Sequence, residues 1–335
     1  MTPLLDRGRL EALLGTARGL RVAIIGDAML DVYLHGEVDR ISPEAPVPVV
    51  RVRERRMALG GAANVAQNVA ALGAHAVLLA TVGADAAGGH VRDMLAAIDA
   101  DPDALVTVRR PTTTKTRVLA RVQQVVRFDE EEDAGLDPDD TAAVLATLER
   151  TIAAADAVVL EDYNKGLLVP AVIERAVALA RRRGIPVVVD PKYHNFFCYA
   201  GATVFKPNRR ELEAALGAAV DLESEASLPE VLRRLDVEHL LLTLGEHGMV
   251  LVSRDAEALR IPTAAREVYD VVGAGDTVTA YLASMLAAGA TAAEAALIAN
   301  YAAGVEVGKL GAATVDAAEV LEAYDAQASE AARHA

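Results

Sequence analysis

The chain has 335 residues, 53% of them apolar and 24% charged, with a single cysteine and a formal charge of −15. That length suits two domains or one large α/β domain, and the apolar content supplies a sizeable core, which excludes a disordered chain. The negative charge disfavours nucleic acid and anionic lipid as partners, and one cysteine cannot close an intrachain disulfide. Asp6, Arg7, Arg9 and Glu11 interrupt any signal peptide. The longest uncharged stretch, residues 277–293, is mostly Ala, Gly, Ser and Thr and falls short of the ~20 apolar residues a membrane span needs. A cytoplasmic location is expected.

In chain order, residues 4–17 have helical spacing and lead to Arg21-Val-Ala-Ile-Ile25, a short apolar run suited to a strand buried on both faces. Similar runs at 76–82, 157–160, 186–189 and 239–243 predict further strands. Ala/Leu-rich segments at 62–72, 91–98, 141–154 and 170–183 predict the helices between them. The alternation implies an α/β fold with a mostly parallel central sheet and helices on both faces. Two segments break the rhythm: 47–53 and 114–128 alternate apolar with polar residues and have no helix after them, which predicts a small antiparallel flap. The flap has one apolar face to cover, over a ligand or against a second copy, so a homodimer is expected. The acidic run 129–133 reads as a solvated loop before a helix that begins near Pro138.

The strongest local signal is Asp270-Val-Val-Gly-Ala-Gly-Asp-Thr277, followed by an Ala-rich helix over 277–288. Gly273, Ala274 and Gly275 leave backbone amides at a helix start free to meet an anion, and Asp276 there can cap the helix or take a proton from a hydroxyl. The alternative is a well-capped helix after a glycine turn. Gly60-Gly-Ala-Ala-Asn64 also opens a helix, and Asn64 offers a donor and an acceptor to sugar hydroxyls. Neither stretch is a Walker P-loop. Polar residues follow several strand ends, where open α/β sheets bind ligands: Gly26, Asp27 and Asp31, then Glu161 to Lys165, then Asp190-Pro-Lys192. Asn208 and Glu211 lie one helical turn apart, suited to a hydrated magnesium ion or to a simple helix cap. His194 and Cys198 have the spacing of a thiol-base pair, but Phe196, Phe197 and Tyr199 beside them indicate packing.

Together, the Gly60–Asn64 and Asp270–Asp276 stretches resemble the two signatures of the ribokinase-like (phosphofructokinase-B) sugar kinases, over residues 21–320. Gly26-Asp-Ala-Met-Leu-Asp31, Arg40-Ile-Ser-Pro-Glu-Ala-Pro-Val-Pro48, Asp162-Tyr-Asn-Lys-Gly166 and Val307-Gly-Lys-Leu-Gly311 are similar to the branch that phosphorylates O1 of D-glycero-β-D-manno-heptose 7-phosphate. The resemblance implies ATP as donor, Mg2+, and a route to ADP-heptose for lipopolysaccharide core. It implies Asp276 as base and the amides of Gly273, Ala274 and Gly275 as anion hole. Asp31, Gly60, Gly61 and Asn64, with Asp162, Lys165 and Lys192, would meet the sugar phosphate, and Arg117 and Arg127 are further candidates for its phosphate. Asn208, Arg209, Arg210 and Glu211 would organise magnesium and ATP, with Thr243, Gly245, Gly248 and Asn300 along the nucleotide. Asp270 is the implied contact of a monovalent cation such as K+.

Two features depart from the pattern. Val271-Val272 replaces the usual hydroxyl-bearing residues after Asp270, which weakens the cation assignment. The nucleotidyltransferase domain that many relatives carry is expected to be absent, since the sequence ends at Ala335. A single kinase domain over residues 1–335, with lid segments near 33–57 and 107–129, is expected, with a separate phosphatase and nucleotidyltransferase acting downstream. A kinase for another sugar or nucleoside, or a non-catalytic sugar-binding protein, are the competing readings.

Overall fold

The computed structural model describes residues 5–121, 123–222, 227–254 and 256–334. The chain runs α1 (Arg7–Ala17), β1 (Arg21–Gly26), β2 (Ala28–Ile41), β3 (Pro48–Gly61), α2 (Ala62–Leu72), β4 (His75–Leu79), β5 (Thr81–Gly83) and α3 (Ala86–Ala96). It continues with β6 (Val106–Val108), β7 (Thr114–Ala120), β8 (Gln123–Glu130), α4 (Pro138–Ala153), β9 (Ala157–Glu161), α5 (Pro170–Arg183), β10 (Val187–Asp190) and β11 (Val204–Phe205). The last part holds α6 (Arg209–Leu216), α7 (Ser227–Leu235), β12 (His239–Thr243), β13 (Met249–Ser253), β14 (Ala256–Ile261), α8 (Ala274–Ala287), α9 (Ala292–Glu306) and α10 (Ala317–His334). Leu4 and Val122, included in the expected first helix and flap, lie outside the described residues.

An eight-stranded sheet in the order β14-β13-β12-β11-β10-β9-β1-β4 forms the centre; its pairs are parallel except those that β13 makes with β12 and β14, both antiparallel. Its strands are apolar on both faces because helices cover both. Val22 and Ile24 pack into one layer with Leu10, Val65 and Val69, while Ala23 and Ile25 enter the other with Val144, Leu148 and Ile173. This two-residue alternation is what a doubly covered parallel strand requires. Among the described residues no helix is long and apolar enough to cross a membrane.

The flap is a four-stranded lid in the order β3-β2-β7-β8. It corrects the expected flap in three ways. Its longest strands include β2, which starts at Ala28 directly after the central strand; β2 and β7 pair in parallel, so the lid is mixed; and Thr107 and Val108 pair with β5, outside it. The expected strand over 76–82 is two strands, because at Ala80 the chain leaves the main sheet and its carbonyl accepts from Val106 N–H (2.9 Å). Helix α3 starts earlier than expected because the Asp85 carboxylate caps it, accepting from Gly88 N–H at 2.7 Å.

The acidic run is exposed throughout, as expected, but only its second part is loop and that part is held by ion pairs. Asp129 and Glu130 belong to β8, and the following Glu131 and Asp133 meet the Lys165 ammonium at 2.9 and 2.6 Å. The packing expected around His194 and Cys198 is found only for two of their neighbours: Phe196 and Tyr199 are buried, whereas His194, Phe197 and Cys198 are on the surface.

Backbone contact at the strand ends sets a steric limit. Gly26 pairs with Glu161, and a Cβ at Gly26 would stand 2.2 Å from the Glu161 carbonyl oxygen. Gly26→Ala is therefore expected to destabilise the protein by about 1–3 kcal/mol through overpacking. Urea unfolding checks this: an unchanged midpoint would mean that the strands separate without cost.

Candidate active site

Parallel strands deliver their carboxyl ends to one edge, and here β1, β9 and β10 end beside Asp27, on Glu161 and on Asp190. The N-terminus of α8 stands at the same edge. Gly273 caps it in a left-handed conformation (φ 98°), so the amides of Ala274 and Gly275 open the helix. The helix thus begins at Ala274, three residues before the expected start. Asp276, in its first turn, is 6% exposed, and its two oxygens accept from Asn64 Nδ2 (2.7 Å) and Tyr163 Oη (2.9 Å).

The second glycine motif explains how Asn64 arrives there. Gly61 ends β3 with φ 57°, and a side chain on it would collide with the Asp27 carbonyl at 2.4 Å. Helix α2 starts at the next residue, which puts Asn64 in its first turn against Asp276. Asp27 itself is buried and accepts backbone N–H bonds from Tyr163 (2.9 Å), Lys165 (2.9 Å) and Leu167 (3.2 Å). It therefore fixes the loop that carries Tyr163. Asp162, expected to meet substrate, is 1% exposed and accepts from Tyr199 Oη and Asn164 N–H, both at 2.7 Å, so it anchors the same loop instead.

Burial governs the proton affinities. Desolvation pushes the Asp276 carboxyl up to about 6, with Asp190 adding to the rise and the Asn64 hydrogen bond opposing it. Asp190 is paired with the buried Lys206 ammonium at 2.7 Å. Burial works against that ammonium, yet Asp190 and Glu161 outweigh it and hold Lys206 above its ordinary value. Gly275 opens onto this pair: a Cβ there would have Lys206 Nζ at 3.7 Å and Asp190 Oδ2 at 3.8 Å as its neighbours. Behind the turn lies Glu306, fully buried, whose Oε1 would be 3.2 Å from a Cβ on Gly273. Desolvation, then Asp270 and Asp276, push its carboxyl up to about 8.

On the lid, β2 and β7 bring Asp31 and Arg117 to one face, where the Arg117 guanidinium donates to Asp31 and lies 5.3 Å from the Tyr33 ring centroid. Arg117 is paired across the strands with Arg127, which donates two hydrogen bonds to Asp129 (2.8 and 2.7 Å). Gly60 packs against Asp31, with a Cβ position 2.7 Å from its Oδ2. Lys192 binds Glu211 and lies over the Tyr163 ring at 5.1 Å.

On the opposite side of α8, a cavity of about 490 Å3 is bordered by Asn208, Thr243, Gly245, Gly248, Gly275 and Asn300, with Val278 and Val307 giving it apolar walls. A flat heterocycle fits such walls, and its phosphates would reach the α8 amides through Gly275. Arg209 and Arg210 do not border it: Arg209 pairs with Glu213 (2.9 Å) and Arg210 is exposed. Asn208 and Glu211 form a reciprocal capping box at α6, each hydrogen bond 2.9 Å long. With the other Glu211 oxygen on Lys192, this pair suits a cation held through water better than one bound directly. Asp270 accepts N–H bonds from Val272 (3.1 Å) and Gly311 (3.2 Å), tying two turns together.

The roles of Lys206 and Tyr163 escape sequence reading, although Tyr163 stands in the Asp162–Gly166 string quoted above. A lysine before Pro207-Asn208 was the available signal for the first; Tyr163 offers none, being 113 residues from Asp276.

Solved structures with this architecture include ribokinase of Arabidopsis thaliana complexed with ribose and ATP (21% identity, TM-score 0.72). They also include phosphofructokinase-2 of Escherichia coli in complex with potassium (18%, 0.74). Each covers 91% of this chain, and the chain covers 98% of each. The fold is ribokinase-like. Residues 20–318 match the pfkB family carbohydrate kinase, and the chain belongs to that family: it is a carbohydrate kinase. Curated relatives include the bifunctional protein HldE of Gluconacetobacter diazotrophicus, 48% identical over 93% of this chain. That of Caulobacter vibrioides is 47% identical over 90%. The chain spans 65% and 63% of the length of these two relatives.

The two raised carboxyls predict a bell-shaped profile. Activity should rise as Asp276 loses its proton near pH 6 and fall as Glu306 ionises near pH 8, because a charge behind Gly273 repels a phosphoryl group at the turn. Glu306→Gln should remove the alkaline limb and leave the acid limb; a profile of kcat/KM unchanged by that substitution assigns the limb elsewhere.

Proposed function

We propose that the protein transfers the γ-phosphoryl group of ATP to O1 of D-glycero-β-D-manno-heptose 7-phosphate, giving the 1,7-bisphosphate that leads to ADP-heptose. The observation that carries the transfer is Asp276, a buried carboxylate oriented by Asn64 and Tyr163 at the opening of α8. The similarity to HldE proteins and the heptose-kinase strings support the choice of sugar. So do the two guanidinium groups of Arg117 and Arg127, which lie side by side on the lid and suit a sugar that already bears phosphate.

In this reading the sugar lies between lid and sheet edge, with its hydroxyls on Asp31, Asn64 and the Gly60-Gly61 backbone. Asp276 takes the proton from the attacking hydroxyl. The amides of Gly273, Ala274 and Gly275 hold the equatorial oxygens, and Lys206, beside Gly275, adds a fixed positive charge where the phosphoryl group passes. ATP occupies the apolar cavity along Thr243, Gly245, Gly248 and Asn300. Magnesium, when bound through water near Asn208 and Glu211, neutralises the phosphates; a monovalent cation would stand beside Asp270. Residues 1–335 act as one kinase domain with its lid, and a phosphatase and a nucleotidyltransferase handle the product.

The lid faces of two copies cover each other in a homodimer, because Met57, Val126 and Phe128 are exposed on one lid face. Light scattering at micromolar concentration should report a dimer, and a monomer would remove this interface.

Phosphorus NMR of the product formed from ATP and a panel of sugar phosphates tests the substrate, with turnover of another sugar but not of heptose 7-phosphate defeating it. Asp276→Asn should lower turnover about 10²–10⁴-fold with ATP binding retained; a rate within threefold of wild type rules out the base.

Lys165 is engaged by Glu131 and Asp133, whereas the partner of Arg117 is Asp31, the very carboxylate that the sugar hydroxyls would engage. Sugar binding thus frees the Arg117 guanidinium. Arg117→Met should raise KM for heptose 7-phosphate about ten- to a hundredfold, the scale of one charge-assisted contact, with little change for the unphosphorylated sugar. If Lys165→Met shows that selective loss and Arg117→Met does not, the lysine holds the phosphate.

A further inference from the structure

Lys192 follows the end of β10 by two residues and so stands at the sheet edge where α8 opens. Its ammonium is bound by one oxygen of Glu211 and lies 5.1 Å from the ring centroid of Tyr163, whose hydroxyl donates to Asp276. The other Glu211 oxygen accepts from Asn208 N–H at 2.9 Å, and Asn208 borders the apolar cavity. A continuous line of contacts therefore runs from that cavity through Asn208, Glu211, Lys192 and Tyr163 to the buried carboxylate. Partial burial works against the charge of Lys192, yet Asp190, Glu211 and Glu161 outweigh it and hold the ammonium above its ordinary value.

The two lysines at this edge differ in freedom. Lys206 is 3% exposed and fixed beneath Gly275 by Asp190, which already meets its charge. Lys192 has 27% of its side chain exposed and a flexible four-carbon stem. A partly exposed ion pair is weak, and Glu211 keeps its bond from Asn208 when the lysine leaves, so a change of partner costs little. The pairing with α6 sets Lys192 on the side of the cavity, away from the lid strands that carry Arg117 and Arg127.

A phosphoryl group at the α8 amides brings its charge close to Asp190 and Asp276, so a cation that can move onto its open side is needed there. We propose that Lys192 is a further catalytic residue, which leaves Glu211 for the γ-phosphate of ATP and stays on its oxygens through the transfer. In that step the bond from the γ-phosphorus to the β–γ bridging oxygen breaks and the bond to the sugar oxygen forms. The electron pair stays on ADP, the hydroxyl proton passes to Asp276, and the ammonium keeps its protons. The lysine is thereby assigned to the nucleotide and not to the sugar phosphate that the family resemblance implies for it, and the assignment rests on the reading of the α8 opening as the place of transfer.

Calorimetric titration of the whole protein with ATP and with ADP, in one magnesium buffer without sugar, tests the contact. Lys192→Met should weaken ATP about tenfold, the scale of one charge-assisted contact, and ADP less than twofold. The ratio of the two affinities separates a γ-phosphate contact from a general disturbance at Glu211, which acts on both nucleotides. Equal loss of both, or loss of neither, overturns the proposal. Should the variant fail to fold by circular dichroism, Lys192→Gln answers the same question. In turnover of whichever sugar the phosphorus NMR panel identifies, kcat should fall about 10²–10³-fold with the sugar KM within threefold. A kcat within threefold of wild type, or a rise in KM confined to phosphorylated sugars, takes Lys192 off the transferring group. The titration contains no sugar, so a failure of heptose 7-phosphate as substrate leaves it unaffected, and equal loss of ATP and ADP leaves the kinase reading standing.

Discussion

Asp276 is the tie on which the site depends. Its carboxylate joins three pieces of chain that have no sequence proximity: the start of α8, the start of α2 through Asn64, and the loop after β9 through Tyr163. In water such hydrogen bonds are exchangeable; at 6% exposure they are not, because a lost donor leaves an ionised group with nothing to solvate it. The same burial that makes the tie strong also raises the proton affinity of the carboxyl. Structural rigidity and basicity near neutral pH therefore come from one cause.

A parallel sheet makes this economical. Every strand that contributes to it ends at the same edge, so Asp27, Glu161 and Asp190 are brought together by topology and only then tuned by neighbours. Their duties differ with their partners. Asp27 accepts three backbone N–H bonds and shapes a loop; Asp190 holds a lysine toward Gly275; Glu161 has no donor at all. Residue type alone does not separate an organiser from a ligand. The census of donors around each oxygen does.

The central strands and their covering helices were legible because fully apolar runs of five residues, alternating with helical segments, have few other uses. The two glycine motifs were legible for a similar reason: a positive φ at Gly61 and Gly273, and the close approach of Gly61 to the Asp27 carbonyl, leave a mark in the sequence. Strand β2 was anticipated only in part: residues 33–41 fell within the expected lid segment but were not read as a strand, and its first residues, Ala28 to Leu30, are buried and read like a continuation of β1. Asp162 looked like a ligand because it follows a strand end; the Tyr199 hydroxyl that consumes it lies 37 residues away. The ion pairs of the exposed acidic run were unforeseen for the same reason, their partner Lys165 being more than 30 residues distant.

The lid shows how a chain with a charge of −15 can still recognise an anion. Arg117 and Arg127 face each other across β7 and β8, an arrangement that is repulsive on its own and tolerable because Asp31 and Asp129 each hold one guanidinium. The lid is thereby internally neutralised rather than merely basic, so an anion gains nothing from long-range attraction and must compete for a guanidinium at contact distance. A ligand that offers only a phosphate displaces Asp31 and leaves that buried carboxylate unpaired and costly. A ligand that also offers hydroxyls gives Asp31 new donors as it takes Arg117 away, and the exchange balances. Selectivity on this face consequently belongs to the combination of sugar hydroxyl and phosphate in one molecule, and free phosphate or unphosphorylated sugar each satisfies only half of the pair.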